Sequence, residues 1–447
     1  MATRVGSSAA VTRRGFLSTA ALSGAAIATG CATNPVSGRK ELMFVTRDEE
    51  IRIDRQYARH QISSDYGEVR DPSVNAYVGE VGARIVGVCH RPDMPYSFRA
   101  VNASYVNAYA FPGGSIAATR GILLALEDEA QLAALIGHEA GHVNARHTAR
   151  RMTTGMLAQL VVLAGVAVVA SKDEDYAGLA AGLGGLGAGL LLARYSRADE
   201  RQADELGMEY MVRSGYDPAG MVGLMEALCR QSEREPSALE VMFSTHPMSA
   251  ERRETARNRL QRHRQAGVSG ESGRERFMDR TASVRRQGEA IQAIQQGDKR
   301  MAAKDLAGAE GHYARALQRA PDDYEALLKR AVLDLRRSRF AESLAWAERA
   351  RAVYPGEPQA LHARGLAALR LRRFDLAHGD FEEYLRVLPG NAMTLYFDGF
   401  ALEGLGRRPD AAQRYLAFLR EVNEGEEAQH ARRRLIEWGY LRPAAPG

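Results

Sequence analysis

The chain has 447 residues, 45% of them hydrophobic and 26% charged, and a formal net charge of only +5 from 60 basic and 55 acidic side chains. The length implies two or three domains rather than one core, and the balance is that of a soluble globular protein. No dense Lys/Arg block alternates with aromatics, which argues against nucleic-acid binding. The three cysteines, Cys31, Cys89 and Cys229, form neither a C-x-x-C pair nor a disulfide framework. Cys89 and Cys229 are left as two buried thiols or as a pair in an oxidising compartment.

The first thirty residues read as an address. Arg13-Arg14-Gly15-Phe16-Leu17 leads into a small-residue apolar run that ends at Cys31. A basic start followed by a mild apolar run is a secretory signal, and the arginine pair resembles a twin-arginine signal. Ala28-Thr29-Gly30-Cys31 resembles a lipobox, with Ala28 where Leu is usual. Acylation at Cys31 would tie the chain to a membrane by more than one lipid chain. Ala32, where an inner-membrane retention signal would carry Asp, points to the outer membrane.

Residues 32–45 look like a tether into the fold. Helices are expected over Arg47 to about Ser63 and Val74–Val86, where apolar residues recur at helical spacing. Alternating residues predict strands at Tyr96–Val101, Ala108–Phe111 and Ser115–Thr119. Asp128 can cap a helix over Ala130–Arg151, with Leu132, Leu135, Ile136 and Val143 toward a core. Two apolar stretches follow, Met156–Ala170 and Ala177–Ala193, split by Lys172-Asp173-Glu174-Asp175. Each falls short of the ~18 apolar residues of a membrane span; they read as packed helices or a loop hairpin over the site, with shallow contact with the bilayer that Cys31 brings close as the alternative. The polar stretch Gln265–Arg285 is the best linker.

Beyond it, positions repeat every 34 residues: Pro321, Pro355 and Pro389; Ala309, Ser343, Ala377 and Ala411; Ala331, Gly365 and Gly399. That period, with small residues at helix contacts and Pro after each second helix, is the tetratricopeptide signature. About four helix pairs from Glu289 to Val422 and a capping helix near Ala428–Trp438 are expected, a surface for protein partners.

The chemistry lies in Gly137-His138-Glu139-Ala140-Gly141-His142, an H-E-x-x-H within a helix. Residues i and i+4 share one helix face, so the two imidazoles can converge on one metal. Zinc takes such nitrogens at ~2.0–2.1 Å and lowers the pKa of a bound water to about 7. Glu139 lies beside the first ligand, placed to take the water's proton and pass it to the leaving amine. A third ligand must come from elsewhere, and Glu200 and Asp204 share a face of a later helix.

These features together resemble the gluzincin family of the CAAX prenyl endopeptidase and the bacterial HtpX-type proteases. The motifs that carry it are Asn107–Gly114, H-E-x-x-H with Arg146-His147, Ser196-Arg197 with Glu200, Ala203-Asp204 and Gly207, and Ser244-Thr245-His246-Pro247. With the signal and the repeats, the chain is most similar to BepA-type periplasmic metallopeptidases. The resemblance implies one zinc per chain held by His138, His142 and Glu200. It makes Glu139 the general base and Asp204 the residue that orients a ligating histidine. His147 would be structural or support a ligand. His246 stabilises the oxyanion, fills the open metal position, or is only a turn residue before Pro247. A strand beside the metal helix would receive extended, unfolded polypeptide by main-chain hydrogen bonds.

The expected architecture is mostly α: a leader over 1–30, a helical metallopeptidase domain with a small β-sheet over 31–264, a linker over 265–285, and an α-solenoid of tetratricopeptide helix pairs over 286–441. The expected activity is zinc-dependent endoproteolysis of unfolded or misassembled exported proteins in the periplasm, with the solenoid recruiting clients. The alternative is an envelope assembly factor or chaperone whose main role is binding.

Overall fold

The computed structural model describes residues 31–157, 194–234 and 240–442. The leader and nearly all of the two apolar stretches between 156 and 193 lie outside the described residues. Among the described residues no helix is long and apolar enough to cross a membrane, and Cys89 and Cys229 are free thiols.

The fold is mostly helical, built around one small sheet. β1 (Cys31–Thr33) and β2 (Lys40–Leu42) form an antiparallel hairpin. This corrects the expectation of a loose tether over 32–45. Asn34 accepts from the backbone N–H groups of Val36 and Ser37 and so closes the turn. Met43 and Val45 are buried just past the hairpin.

The central sheet has the order β3-β5-β4, where β3 is Ser97–Val101, β4 is Ala108–Ala110 and β5 is Ser115–Thr119. β3 runs parallel to β5 and β4 antiparallel to it. The period-2 alternation of strands sorts their side chains onto two faces. Phe98, Ala100, Ala108, Ile116 and Ala118 join the larger core, with the helices Pro72–Val86 and Glu129–Asn144. Tyr109 and Ala117 point the other way, into a second core with Met43, Val45 and the Ala58 face of the helix Arg47–Ser64. No strand of the described residues covers the outer edge of β4.

The helix expected over 130–151 is two helices. The first, Glu129–Asn144, starts at Asp128, whose side chain accepts from the Gln131 N–H. It stops before Arg146, which takes a left-handed φ of 57°; a second helix covers 147–157. The break is held because the Arg146 guanidinium is spoken for, donating to Glu50 and to the Val45 carbonyl.

The stretch 265–285, read as a linker, is folded. Phe277 on the short helix Arg274–Arg280 is fully buried in the larger core. Arg276 on the same helix donates two hydrogen bonds to Glu129, at 2.5 and 2.6 Å.

Four helix pairs follow: Gly288–Ala302 with Leu306–Arg319, Tyr324–Arg336 with Phe340–Val353, Gln359–Arg370 with Phe374–Val387, and Ala392–Gly404 with Arg408–Glu421. Glu426–Glu437 closes the stack. The small residue of the repeat has a packing reason. A Cβ on Gly365 would come within 2.7 Å of the Phe381 ring, and one on Gly399 within 2.8 Å of the Tyr415 ring. The aromatic of the second helix therefore lies directly on the backbone of the first.

The solenoid is docked on the half of the chain that holds the central sheet. Arg120, just after β5, forms a bidentate pair with Asp323 and also reaches Glu325. Ser63, at the end of the helix Arg47–Ser64, donates to Glu357 and accepts from Gln359.

Candidate metal centre

Two helices make the site by crossing with almost no side chain between them. A Cβ on Gly137 would lie 3.0 Å from the Gly207 carbonyl oxygen, and one on Gly141 would lie 3.0 Å from the Ala203 Cα. Only small residues allow the helix Glu129–Asn144 to approach the helix Arg197–Arg213 this closely. The approach sets Glu200 and Asp204 against His138 and His142. Ser196 fixes the start of the second helix through a capping box with Asp199, which puts Glu200 in its first turn. The helix Glu129–Asn144 is buried along its whole length rather than on one apolar face. The second helix and the 240–252 segment cover the side that carries the histidines.

Four donor groups meet at one point. Nε2 of His138 and Nε2 of His142 are 3.1 Å apart. Glu200 lies 3.6 Å from the first through Oε2 and 3.5 Å from the second through Oε1. His246 completes the set, its Nδ1 3.4 Å from His138 Nε2 and 3.0 Å from Glu200 Oε1. All four are buried, and the donor atoms lie within 4.8 Å of one another. Ligands held ~2.0–2.1 Å from a tetrahedral zinc are about 3.3–3.4 Å apart. The separations among these donors, 3.0–3.6 Å, bracket that spacing, and the group can hold a metal ion.

The hydrogen bonds behind the ligands fix their tautomers. His138 Nδ1 donates to Asp204 at 3.0 Å, which leaves the Nε2 lone pair free for a metal. His147 Nε2 faces the Gln202 carbonyl oxygen at 3.0 Å and the Asp199 carboxylate at 3.6 Å, so it carries the proton. His147 Nδ1 then accepts from His142 Nδ1, 2.8 Å away, and His142 Nε2 is likewise a lone pair. In an unbroken helix His147 would lie on the side away from His138. The break at 145–146 is what returns it to His142.

Arg252 was missed in the sequence. It donates to both oxygens of Asp204 at 2.7 Å and lies 2.6 Å from Glu200. Burial pushes the Asp204 carboxyl up, but the bonds from Arg252 and His138 outweigh it and hold it below its usual range. Burial keeps His142 neutral, far below its ordinary pKa. Arg252 carries a weak sequence signal: it sits three residues after Ser249, whose side chain caps the helix Ala250–Gln265. Tyr195 is a second support, stacked on the His142 ring at 3.8 Å between centroids.

Glu139 differs from every other group here. It is 1% exposed, yet neither carboxylate oxygen has a hydrogen-bond partner among the described residues. His246 Nε2 lies 3.8 Å from its Oε1. A buried carboxylate left without donors is costly. It lies beside the group of donors that can hold a metal ion, with both oxygens free to accept a proton.

Residues 72–260 match the model of Peptidase family M48. The beta-barrel assembly-enhancing protease of Yersinia pestis is 31% identical over 217 residues, 47% of this chain and 44% of that protein. The protein of the same name from Escherichia coli (strain K12) is 28% identical, over 54% of this chain and 49% of that one. The mitochondrial metalloendopeptidase OMA1 of Schizosaccharomyces pombe is 31% identical, over 49% of this chain and 63% of that protein. The chain thus spans about half the length of the two bacterial relatives. Among solved structures, the tetratricopeptide-repeat domain of Arabidopsis OM64 is matched at 19% identity over 26% of this chain and 95% of that chain, with a TM-score of 0.25, an overlap too small to bear on the fold.

Proposed function

We propose, from the premise that residues 72–260 form a domain of Peptidase family M48, that this chain is a zinc metalloendopeptidase acting on unfolded or misassembled polypeptide in the cell envelope. The observation that carries this is the buried tetrahedron of His138, His142, Glu200 and His246 with the unpartnered Glu139 carboxylate beside it. His138, His142 and Glu200 hold the zinc, and Asp204, Arg252 and His147 orient them. The peptidase unit runs over 31–264 and the solenoid over 286–441, with the short helices near 274–286 joining them.

Zinc, when bound, acidifies water and polarises the scissile carbonyl. Glu139 takes the proton of the attacking water and returns it to the leaving amine. The substrate lies as an extended chain along the uncovered edge of β4, which packs against the helix Glu129–Asn144. Main-chain hydrogen bonding of that kind selects chains able to extend, and reads few side chains. The purified full-length chain should therefore cleave casein but leave a tightly folded protein intact, and should lose that cleavage on chelation. Equal cleavage of both substrates would contradict capture at the edge strand.

His246 restrains this site by filling the fourth corner until substrate displaces it, a reading supported by its distances to His138 and Glu200. A resting state of this kind lowers apparent activity by the fraction of molecules that are closed. His246→Ala should raise basal cleavage or autolysis and speed zinc loss to chelators. A fall in turnover of up to ~10²–10³-fold would instead make His246 an oxyanion donor, and no change would make it a turn residue.

The envelope location is supported by the leader with Cys31 at its end, and the relatives named beta-barrel assembly-enhancing protease fit it. The chain is exported and anchored by acylated Cys31, at the outer membrane where the cell has one. Cys31→Ser should release it to the soluble fraction with its proteolytic activity intact; a wild-type chain that never incorporates labelled palmitate would rule the anchor out.

A further inference from the structure

The solenoid grips one residue of the loop before β4 from two sides. Ser104 is fully buried in the loop that leads into β4. Its hydroxyl donates to Glu325 Oε1 at 2.9 Å, and its carbonyl accepts from Gln295 Nε2 at 2.7 Å. Both partners belong to the solenoid, on its first and third helices. Glu325 is fixed in turn by Arg120 at 2.9 Å and Lys329 at 3.4 Å. Arg120 itself comes from the residue directly after β5.

The loop passes this grip on to the edge strand. The Tyr105 and Asn107 carbonyls both accept from Thr119 Oγ1, and the Asn107 N–H donates back to that oxygen. A Cβ on Gly121 would lie 2.1 Å from the Ser104 carbonyl oxygen, so the loop has no room to slide past the start of the helix Arg120–Ala125. Asn107 is followed at once by Ala108, the first residue of β4.

A contact made only for adhesion would be apolar. Buried charges lose hydration, and replacing them with hydrophobic residues is often neutral or stabilising. What a satisfied buried polar network adds is a single geometry. Here the geometry it defines is the path of the chain into the uncovered strand.

We propose that Gln295 and Glu325 are positioning residues for proteolysis: by holding Ser104 through its hydroxyl and its carbonyl, the solenoid sets where β4 presents its free edge to an extended substrate. This rests on the reading of β4 as the substrate-receiving strand. Binding along a strand sums many main-chain bonds, so a displaced strand weakens capture of long chains. A short peptide that spans little beyond the scissile bond depends on the zinc centre and is spared.

The test uses the full-length zinc-loaded chain with Gln295→Met, which keeps volume and removes the donor. The expected result is a KM for casein raised about tenfold with kcat within about twofold, the pattern of lost uniform binding. Cleavage of an internally quenched tetrapeptide and the zinc content should stay at wild-type levels. If casein and tetrapeptide cleavage fall together, or neither changes, the positioning role is overturned. If Gln295→Met does not fold, Ser104→Ala, which removes only the hydroxyl bond to Glu325, decides by the same criteria. A wild-type chain that holds zinc and cleaves neither substrate would overturn the proposed activity itself and this inference with it, a result distinct from a variant-specific change.

Discussion

Glu139→Gln is expected to keep its zinc and its fold while losing cleavage of unfolded protein by roughly 10²–10⁴-fold, the usual worth of a general base. The substitution changes almost nothing but proton affinity. Glutamine has the same shape, and Glu139 makes no hydrogen bond within the described residues that the change could break. The helix around it is packed on every side, so neither backbone nor ligands have reason to move. The loss should appear in kcat, because the proton transfer belongs to the transition state and not to substrate capture. Cleavage near the wild-type rate would mean that another group activates the water. The same variant separates protease from assembly factor. If it restores envelope function in cells lacking the wild-type chain, binding through the solenoid is the main role.

Glu200→Ala should abolish stable zinc binding, a larger effect than the roughly 10–100-fold cost of losing one supporting hydrogen bond. Glu200 is fully buried and faces His138, His142, His246 and Arg252 together. Its removal takes away a ligand and the only negative charge at the tetrahedron itself. It also leaves the Arg252 guanidinium, 2.6 Å from Glu200 in the intact site, with only Asp204 to balance it. A metal cation would then meet a second cation where its ligand had been. Asp204→Asn should cost less, within that 10–100-fold, because His138 keeps an acceptor for its Nδ1 proton. Full zinc occupancy in Glu200→Ala would remove Glu200 from the ligand set.

Much of this was legible in the sequence, for reasons that can be named. His138, Glu139 and His142 are one helix turn, so their convergence is local geometry. The solenoid showed itself because each repeat needs a small residue where an aromatic lies on its backbone, as at Gly365 and Gly399. Glu200 and Asp204 were assigned only by resemblance. What brings them in is the crossing at Gly137, Gly141, Ala203 and Gly207, a contact between segments some sixty residues apart. Arg252 gave only the weak signal of its place after Ser249: an arginine near a helix start is ordinary until tertiary structure puts two buried carboxylates in front of it.

Two readings failed on composition. Residues 32–45 are rich in turn residues, Asn34, Pro35, Ser37 and Gly38, yet Asn34 closes a hairpin with its own side chain. The stretch 265–285 is polar, but buried Phe277 and Val284 anchor it to the core, and Arg276, Glu271 and Arg285 tie it down through ion pairs and hydrogen bonds. The turns inside the helix pairs were hidden as well. Lys304, Ser338 and Arg372 all take left-handed φ at the repeat period, where only Gly406 announces it by residue type.

The central claim is that one buried metal tetrahedron performs peptide hydrolysis, and it is tested most directly by measuring zinc and proteolysis on the same full-length sample. Mass spectrometry of the native protein should find about one zinc per chain, with casein cleavage lost in step with zinc on chelation and restored when zinc is returned. A zinc-free chain that still cleaves casein at its original rate would contradict the account.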